Sequence, residues 1–451
     1  MGERTNRRGF LKVAGAGVGG LIVGGVLGST LMTQPTAYTV TTTSIIRQTE
    51  TVTATITPTL KPSESVRIGV GAFMSGPFVS EGEHIVNAAK MAVEEVQEAG
   101  WFMGGNKKIE LYFADLGSVT PDEVKRAFEQ LIEVYKTHIN VVYWGSYGPG
   151  WDLTLKSGVP LITGDTPLGV TDFISKNPQI RLVDTYSALG TRRYQKTFLN
   201  FFDWLAKEGI WRPRNNTMYI VHSDFVWDAD WARVMRSEAE EKGWKIVGFD
   251  LVPMNTVDWS PVLSKIRAMN PDIIVHADLI PADAATFASQ FSTNPTRSLL
   301  INTWGFAPPE SIKVADPSSL IGVVWGSGTM PIFKSRLYQD FSRKYEQKFG
   351  KEPYIAATHI YDSIYIALKA LHFANTTEPE KVYNALFEIV HSGVEGRWTF
   401  DPATKIHYDY PEFAPNQLLQ IQKVGEKITQ YATIYPPQTA AFEFRLPSWL
   451  K

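Results

Sequence analysis

The fold is decided by a stretch that begins with Val66-Arg67-Ile68-Gly69-Val70-Gly71-Ala72-Phe73. Its apolar and partly β-branched character predicts a short buried strand. A stripe of apolar residues with a period of 3.6 follows and predicts a helix that covers this strand: Ile85, Ala88, Ala89, Ala92, Val93 and Val96. Strand, loop and helix in this order form the first half of a βαβ unit.

The same alternation continues along the chain. Apolar segments at 108–114, 139–144 and 159–163 predict three further strands. The helix between the first two of these has a well-marked start, because Thr120 at the N-cap and Glu123 three residues later form a capping box. We therefore expect a parallel sheet with helices between its strands.

A second α/β unit follows the first. Its predicted strands lie at 218–222, 245–252, 272–277 and 299–302. Long helices are predicted after it, and the last of them begins with a second capping box, formed by Thr377 and Glu380. Two α/β units in series predict parallel sheets covered on both faces, with functional residues in the loops at the carboxyl ends of the strands.

The composition excludes several classes of function. The 44 basic and 46 acidic residues leave a net charge of −2, which gives no bulk attraction to nucleic acid or to an anionic membrane. Cysteine is absent, which excludes a disulfide framework, a Cys-ligated metal site and a thiol nucleophile. Aromatic residues make up 12% and include 13 Trp, a content that suits a surface for flat or cationic solutes.

The first 65 residues are predicted to direct and tether the chain. The motif Asn6-Arg7-Arg8-Gly9-Phe10-Leu11-Lys12 resembles a twin-arginine export signal, and an uncharged run from Val13 to Met32 follows it. Residues 1–33 are thus an export signal or an N-terminal membrane anchor, and both remain open. Residues 34–65 are rich in Thr and Pro, and such a segment is typical of an extended stalk. We expect an extracytoplasmic protein, tethered to the membrane only through this N-terminal segment.

Four segments carry a resemblance to a known family. The chain resembles the solute-binding proteins of ABC importers of the Leu/Ile/Val-binding type, which have the type I periplasmic-binding fold. The resemblance runs from about residue 66 to residue 433 and rests on these segments: Ile68-Gly69-Val70-Gly71 with Met74-Ser75-Gly76-Pro77 and Gly82; Gly158-Val159-Pro160-Leu161-Ile162; Tyr361-Asp362-Ser363; and Gly393-Val394-Glu395-Gly396-Arg397-Trp398-Thr399-Phe400-Asp401.

The resemblance implies an α/β architecture of two Rossmann-like lobes joined by a three-stranded hinge. Lobe 1 would comprise residues 66–184 and 329–393, lobe 2 residues 185–328 and 394–435, and residues 436–451 a C-terminal extension. A small solute would be trapped between the lobes, because a ligand that contacts both lobes binds the closed state more tightly than the open state. The implied partners are an ABC permease and its ATPase, and the twin-arginine translocase during export.

The candidate ligand-binding residues lie in the loops that follow predicted strands. In lobe 1 the resemblance points to loops that would hold a ligand carboxylate, and in lobe 2 it places Trp227 at an aromatic wall. It also places Trp304 where relatives usually supply a carboxylate for a ligand ammonium, so the amine pocket departs from the family pattern. The predicted ligand-binding residues are Ser75, Gly76, Glu81, Trp144, Ser146, Tyr147, Asp165, Thr166, Trp227, Asp278 and Trp304.

Each candidate has an ordinary structural alternative. The indoles would stack on a ring or a cation in the cleft, or simply pack in the core. Asp165 and Asp278 would accept hydrogen bonds from a ligand, or cap the helix that follows. Asp362 lies within a predicted helix of lobe 1, where we expect a structural role.

No enzymatic activity, cofactor or metal is predicted. The sequence contains no His-x-x-x-His pair, no Gly-x-x-x-x-Gly-Lys phosphate loop and no nucleophile elbow. The favoured function is a solute receptor that serves an ABC importer. A ligand-sensing module of the same fold, which signals through a separate partner, remains the alternative.

Overall fold

In the computed structural model, the residues described here all belong to one compact unit, Leu60–Lys451. They are 65–105, 107–165, 168–185, 188–312, 316–326, 330–407, 416–423 and 432–451. The predicted signal or anchor and nearly all of the predicted stalk lie outside these ranges, as does Thr166. Among the described residues, no helix combines the length and the apolar character needed to cross a membrane.

The first sheet contains five parallel strands in the order β2-β1-β3-β4-β5. Its strands are β1 (Val66–Ala72), β2 (Ile109–Asp115), β3 (Ile139–Val142), β4 (Leu161–Thr163) and β5 (Leu182–Asp184). The helices between them are α1 (Val79–Ala99), α2 (Pro121–Glu129), α3 (Pro149–Ser157) and α4 (Leu168–Lys176). The strand and helix predicted from residues 66–96 are confirmed, and the whole apolar stripe of α1 is buried.

The second sheet contains seven strands in the order β14-β13-β10-β9-β8-β6-β7. The five strands β6 to β10 pair in parallel, and β13 and β14 are antiparallel. The strands are β6 (Thr217–Ser223), β7 (Lys245–Val252), β8 (Ile273–Ala277), β9 (Leu299–Asn302), β10 (Val324–Gly326), β13 (Leu418–Gln420) and β14 (Ala432–Tyr435). Its helices are α5 (Ala188–Lys207), α6 (Val226–Glu241), α7 (Ser260–Met269) and α8 (Pro281–Thr293).

Three later helices return to the first sheet. They are α9 (Arg336–Phe349), α10 (Ile355–Ala374) and α11 (Pro379–Glu388), and α9 and α10 pack on α1. A small hairpin of β11 (His391–Gly393) and β12 (Gly396–Trp398) contacts α10. We call the first sheet with these elements lobe 1, and the second sheet with its own helices lobe 2. The predicted α/β architecture with two sheets of mainly parallel strands is therefore present.

The segment 394–407 lies with lobe 1, although the sequence analysis assigns it to lobe 2. The Asp184 amide at the end of β5 donates to the Lys405 carbonyl at 2.9 Å, and the His407 amide donates to the Asp184 carbonyl at 2.9 Å. Glu395 accepts a 2.6 Å hydrogen bond from Thr358 in α10. These contacts are long-range, so the local sequence pattern does not contain them.

One predicted capping box is confirmed and the other is wrong. Thr120 accepts from the Glu123 amide, and the Glu123 carboxylate accepts from the Thr120 amide at 3.1 Å. The helix at 379 instead takes Glu378 as its N-cap and has no side-chain cap, because it begins at Pro379 rather than at Glu378. The Thr376 hydroxyl accepts from the Glu378 amide at 3.2 Å and so stabilises the turn that precedes the helix.

Asp362 is the buried acceptor that joins α10 to the hairpin. Its carboxylate accepts from the amides of Val394 at 2.9 Å and Glu395 at 2.8 Å and from the Trp398 indole at 3.2 Å. His391 Nε2 lies 3.1 Å from the same carboxylate. These partners confirm the structural role expected for this residue.

We expect Asp362→Ala to lower the free energy of unfolding by about 3 kcal/mol or more, because several buried donors lose their acceptor at once. Urea denaturation followed by circular dichroism measures this change. Asp340→Ala on the exposed face of α9, where the carboxylate pairs with Arg336 and Arg343, is the matched control and should cost less than about 1 kcal/mol. Equal effects of the two substitutions would contradict the structural role of Asp362.

Candidate functional site

Loops from both lobes meet at the carboxyl ends of the parallel strands, in a region that we call the cleft. Lobe 1 contributes the loops after β1, β3 and β4, and lobe 2 contributes those after β6, β8 and β9. Trp144 follows β3 and Phe225 follows β6, and their ring centroids are 6.5 Å apart in an edge-to-face arrangement. This contact shows that the two sets of loops face each other.

Trp144 is positioned by its own lobe. Its indole N–H donates to Glu81 at 2.6 Å, and Glu81 is only 5% exposed. The ring lies 4.5 Å from that of Phe73 and 4.9 Å from that of Phe78. The structure thus brings Glu81 and Trp144 together, with one carboxylate oxygen of Glu81 engaged by the indole.

Trp304 makes a second aromatic contact between the lobes. It follows β9 in lobe 2, and its ring lies 6.3 Å from Tyr143 and 6.1 Å from Tyr354, both of lobe 1. Trp227 is half-buried in the first turn of α6, with its ring 6.3 Å from that of Tyr194. The sequence analysis did not select Tyr143, Tyr354 or Phe225, although each follows or precedes an element at the same edge.

Asp165 is a fully buried acceptor at the end of β4. It receives the amides of Gly145 at 2.7 Å and Ser146 at 3.2 Å, the Thr163 hydroxyl at 2.9 Å and the Trp151 indole at 3.1 Å. The Ser146 hydroxyl also donates to it. Burial raises the pKa of Asp165, and these hydrogen bonds oppose the rise. Both carboxylate oxygens therefore act within lobe 1, where they fix the loop after β3.

Ser75 and Gly76 lie in the exposed loop after β1. The Ser75 hydroxyl donates to Asp115 at 2.6 Å, and the amides of Met74 and Gly117 donate to the same carboxylate at 2.8 and 2.9 Å. Gly76 has a φ of +80°, and a Cβ there would meet Ser118 Oγ at 2.8 Å. Ser75 and Gly76 are thus tied to the neighbouring loop after β2.

The phenol of Tyr147 in lobe 1 is influenced by carboxyl groups of both lobes. Its side chain is half-buried in the loop after β3. Burial, with the nearby carboxyl groups of Asp165 in lobe 1 and Asp228 in lobe 2, raises the pKa of its phenol. Tyr147 therefore lies at the point where lobe 1 approaches Asp228.

Asp228 lies among the cleft loops and was not selected by the sequence analysis. It lies in the first turn of α6, is fully buried, and accepts from Ser223 Oγ at 2.5 Å and from the Leu279 amide at 3.2 Å. Burial is the main cause that raises its pKa to about 8, with Asp283 and Asp224 adding to the rise. An acidic residue in the first helical turn is a common helix-stabilising feature, so the sequence alone gave no sign of burial.

Asp278 lies beside Asp228 at the end of β8. It too is fully buried, and its Oδ1 accepts from the Ile280 amide at 2.8 Å. Burial raises its pKa well above the ordinary value, and the neighbouring carboxyl groups of Asp228 and Asp283 reinforce the shift. His276 Nε2 is 3.6 Å from Asp278 Oδ2, but burial lowers the pKa of this imidazole to about 3, so it is neutral and offers no counter-charge.

Comparison with known proteins places the chain among solute receptors. A family model described as periplasmic binding protein matches residues 65–407. The Leu/Ile/Val-binding protein homolog 3 of Brucella melitensis is 22% identical over 219 residues, which are 46% of this chain and 53% of that protein. The chain thus aligns with about half the length of this curated relative.

Solved structures share the fold. A Silicibacter pomeroyi protein assigned to a branched-chain amino acid ABC transporter superposes with a TM-score of 0.77 at 23% identity, over 86% of this chain and 100% of that one. The branched-chain amino acid transporter substrate-binding protein LivJ of Streptococcus pneumoniae, solved with isoleucine, gives a TM-score of 0.66 at 20% identity, over 81% and 98% of the two chains.

These relatives are solute-binding proteins of transporters and not enzymes, in agreement with the expectation from the sequence. The family model covers well over half of the chain. The chain therefore belongs to the periplasmic binding protein family, as its resemblance to Leu/Ile/Val-binding proteins implies.

Proposed function

We propose that this protein captures a small polar organic solute between its two lobes, outside the cytoplasm, and delivers it to an ABC importer. The observation that carries the proposal is the aromatic contact across the cleft, in which Trp144 of lobe 1 faces Phe225 of lobe 2. Trp304 adds a second contact of the same kind. A solute that binds beside these rings touches both lobes, and only the closed state offers both sets of contacts.

The chemistry of the cleft supports a receptor. Its rings can stack on a flat or cationic group, and its polar side chains can fix the orientation of a small molecule. Amino acids are the family default, and LivJ of S. pneumoniae was solved with one. Of the residues predicted from sequence, we propose Trp144, Tyr147, Trp227, Asp278 and Trp304 as direct contacts.

The remaining candidates act differently in this proposal. Ser146 and Asp165 would position the loop after β3, because they bond to each other. Glu81 would orient Trp144, and Ser75 and Gly76 would shape the rim. Thr166 stays a candidate on sequence grounds alone. Export by the twin-arginine translocase and tethering through residues 1–33 complete the proposal.

We expect a cognate solute to raise the melting temperature of the purified protein and to reduce its radius of gyration. Ligand present at 100 times its Kd stabilises the bound state by about 2.7 kcal/mol. Thermal shift against amino acids, amides, polyamines and sugars, followed by small-angle scattering of each hit, measures both effects. A compound that raises the melting temperature without reducing the radius of gyration would argue against lobe closure. If no compound of the panel raises the melting temperature, the result would count against the receptor function itself.

We expect Trp227→Ala to weaken binding of such a hit by about 10-fold, because one stacked or cation–π contact is worth about 0.5 to 2 kcal/mol. Isothermal titration calorimetry measures the Kd. Trp204→Ala is the control, since Trp204 is also half-buried in lobe 2 but stacks on Phe201 and packs against Tyr435 instead. If both variants bind as the parent does, Trp227 does not line the site.

A further inference from the structure

Two buried carboxylate oxygens among the cleft loops have no hydrogen-bond partner within the described part of the chain. They are Oδ1 of Asp228 and Oδ2 of Asp278. Both residues are fully buried, and each uses its other oxygen for hydrogen bonds within lobe 2. A buried acceptor without a donor is costly, and the cost is greater when the acceptor is a carboxylate.

The two carboxylates belong to one site. Asp228 Oδ2 accepts from the amide of Leu279, which is the residue after Asp278. The strands that lead to them, β6 and β8, are hydrogen-bonded neighbours in the second sheet. The carboxyl group of Asp228 also influences Tyr147 across the cleft. The pair therefore lies at the carboxyl edge of the second sheet, on the side of lobe 2 that carries the cleft loops.

Among the described residues, no Lys or Arg side chain forms an ion pair with either carboxyl group. His276 Nε2 lies 3.6 Å from Asp278 Oδ2, but burial lowers the pKa of this imidazole to about 3, and its Nε2 also has no hydrogen-bond partner. Within the described part of the chain, no group of three or more His, Asp or Glu side chains is placed to hold a metal ion. The free acceptors thus fit an organic donor group better than a chelated metal.

We propose that Asp228 and Asp278 together bind a positively charged N–H group of the solute, a primary ammonium or a guanidinium. This inference rests on the proposed function and specifies its ligand class. Such a group donates at least two hydrogen bonds and can engage both free oxygens at once. A quaternary ammonium carries no N–H, so it would leave both acceptors unsatisfied despite the neighbouring indoles of Trp227 and Trp304.

The pair would supply the carboxylate that the family resemblance leads one to expect at the position of Trp304. Trp304 occupies the place after β9 where the family resemblance leads one to expect a carboxylate. In this chain the acidic groups instead follow β8, which pairs with β9, and β6, which is the next strand in the sheet after β8. The cationic end of the solute would therefore lie at the carboxyl ends of β6 and β8, where both aspartates are buried.

The experiment compares three groups of compounds by isothermal titration calorimetry with the purified full-length protein. The first group contains primary amines and guanidines: L-leucine, L-phenylalanine, putrescine, L-arginine and agmatine. The second contains the quaternary compounds choline and glycine betaine, and the third the amine-free acids 4-methylpentanoate and benzoate. We expect binding within the first group and at least 10-fold weaker binding in the other two.

Asp228→Asn and Asp278→Asn should each raise the Kd of the tightest-binding amine by about 10- to 100-fold, because each removes a charge-assisted hydrogen bond. Asp203→Asn is the matched control, since Asp203 is an exposed carboxyl group of lobe 2 that pairs with Lys242; it should change the Kd by less than about 3-fold. Circular dichroism and melting curves verify that each variant folds.

A pH series of the unliganded protein measures how much the burial of ionised Asp228 destabilises the fold. The folded-state pKa of Asp228 is raised from 3.8 to about 8, so its contribution to stability is lost as pH rises through that interval. Asp228→Asn should therefore raise the melting temperature of the unliganded protein more at pH 8 than at pH 5. The titratable groups that face Asp228 are Asp224, Asp278, Asp283, Tyr147 and His276.

The outcomes separate the two proposals. If no compound of the three groups binds, the result would count against the proposed receptor function. A quaternary or amine-free compound that binds best, with an unchanged Kd in Asp228→Asn and Asp278→Asn, would overturn the ammonium assignment and leave the receptor intact. An Asn variant that melts earlier than the parent at pH 8 but binds amines normally would show that the pair is structural.

Discussion

Parallel pairing is the constraint on which the rest of this structure depends. Because the paired strands of the first sheet, and β6 to β10 of the second, run the same way, their carboxyl ends share an edge in each lobe. Residues distant in sequence thereby come together. Trp144 contacts Phe225, and Asp228 approaches Asp278, only because the strands before them end at these edges.

Four buried aspartates among the described residues fall into two kinds. Asp165 and Asp362 have their oxygens engaged by backbone amides and indole N–H groups of their own lobe, so their burial stabilises loops and hairpins. Asp228 and Asp278 are equally buried but each retains one free oxygen. This difference in hydrogen bonding, rather than burial or charge alone, distinguishes structural carboxylates from candidate ligand contacts.

Local patterns predicted the features that depend on nearby residues. The strand at 66, the helix stripe from Ile85 to Val96 and the capping box of Thr120 and Glu123 all follow from spacing within a few turns. The resemblance to Leu/Ile/Val-binding proteins then supplied the two-lobed arrangement. The limits of this reasoning appear at Thr377, where the proline at 379 shifts the start of the helix.

The remaining features depend on long-range contacts that no local pattern contains. The association of residues 394–407 with lobe 1 rests on their hydrogen bonds to Asp184 and Thr358. Asp228 was missed because an acid in a first helical turn usually faces water, and only the packing of β6 and β8 beneath it removes that water. The site residues predicted from sequence remain proposals, with Asp228 now added to them.

The hydrogen bonds around Asp165 have a consequence for binding thermodynamics. They immobilise Gly145, Ser146 and the adjoining backbone before any solute arrives. The loop therefore loses its conformational entropy during folding rather than when a solute binds. In the proposed receptor, lobe 1 would offer a preorganised surface, and the main motion left for binding would be the approach of lobe 2.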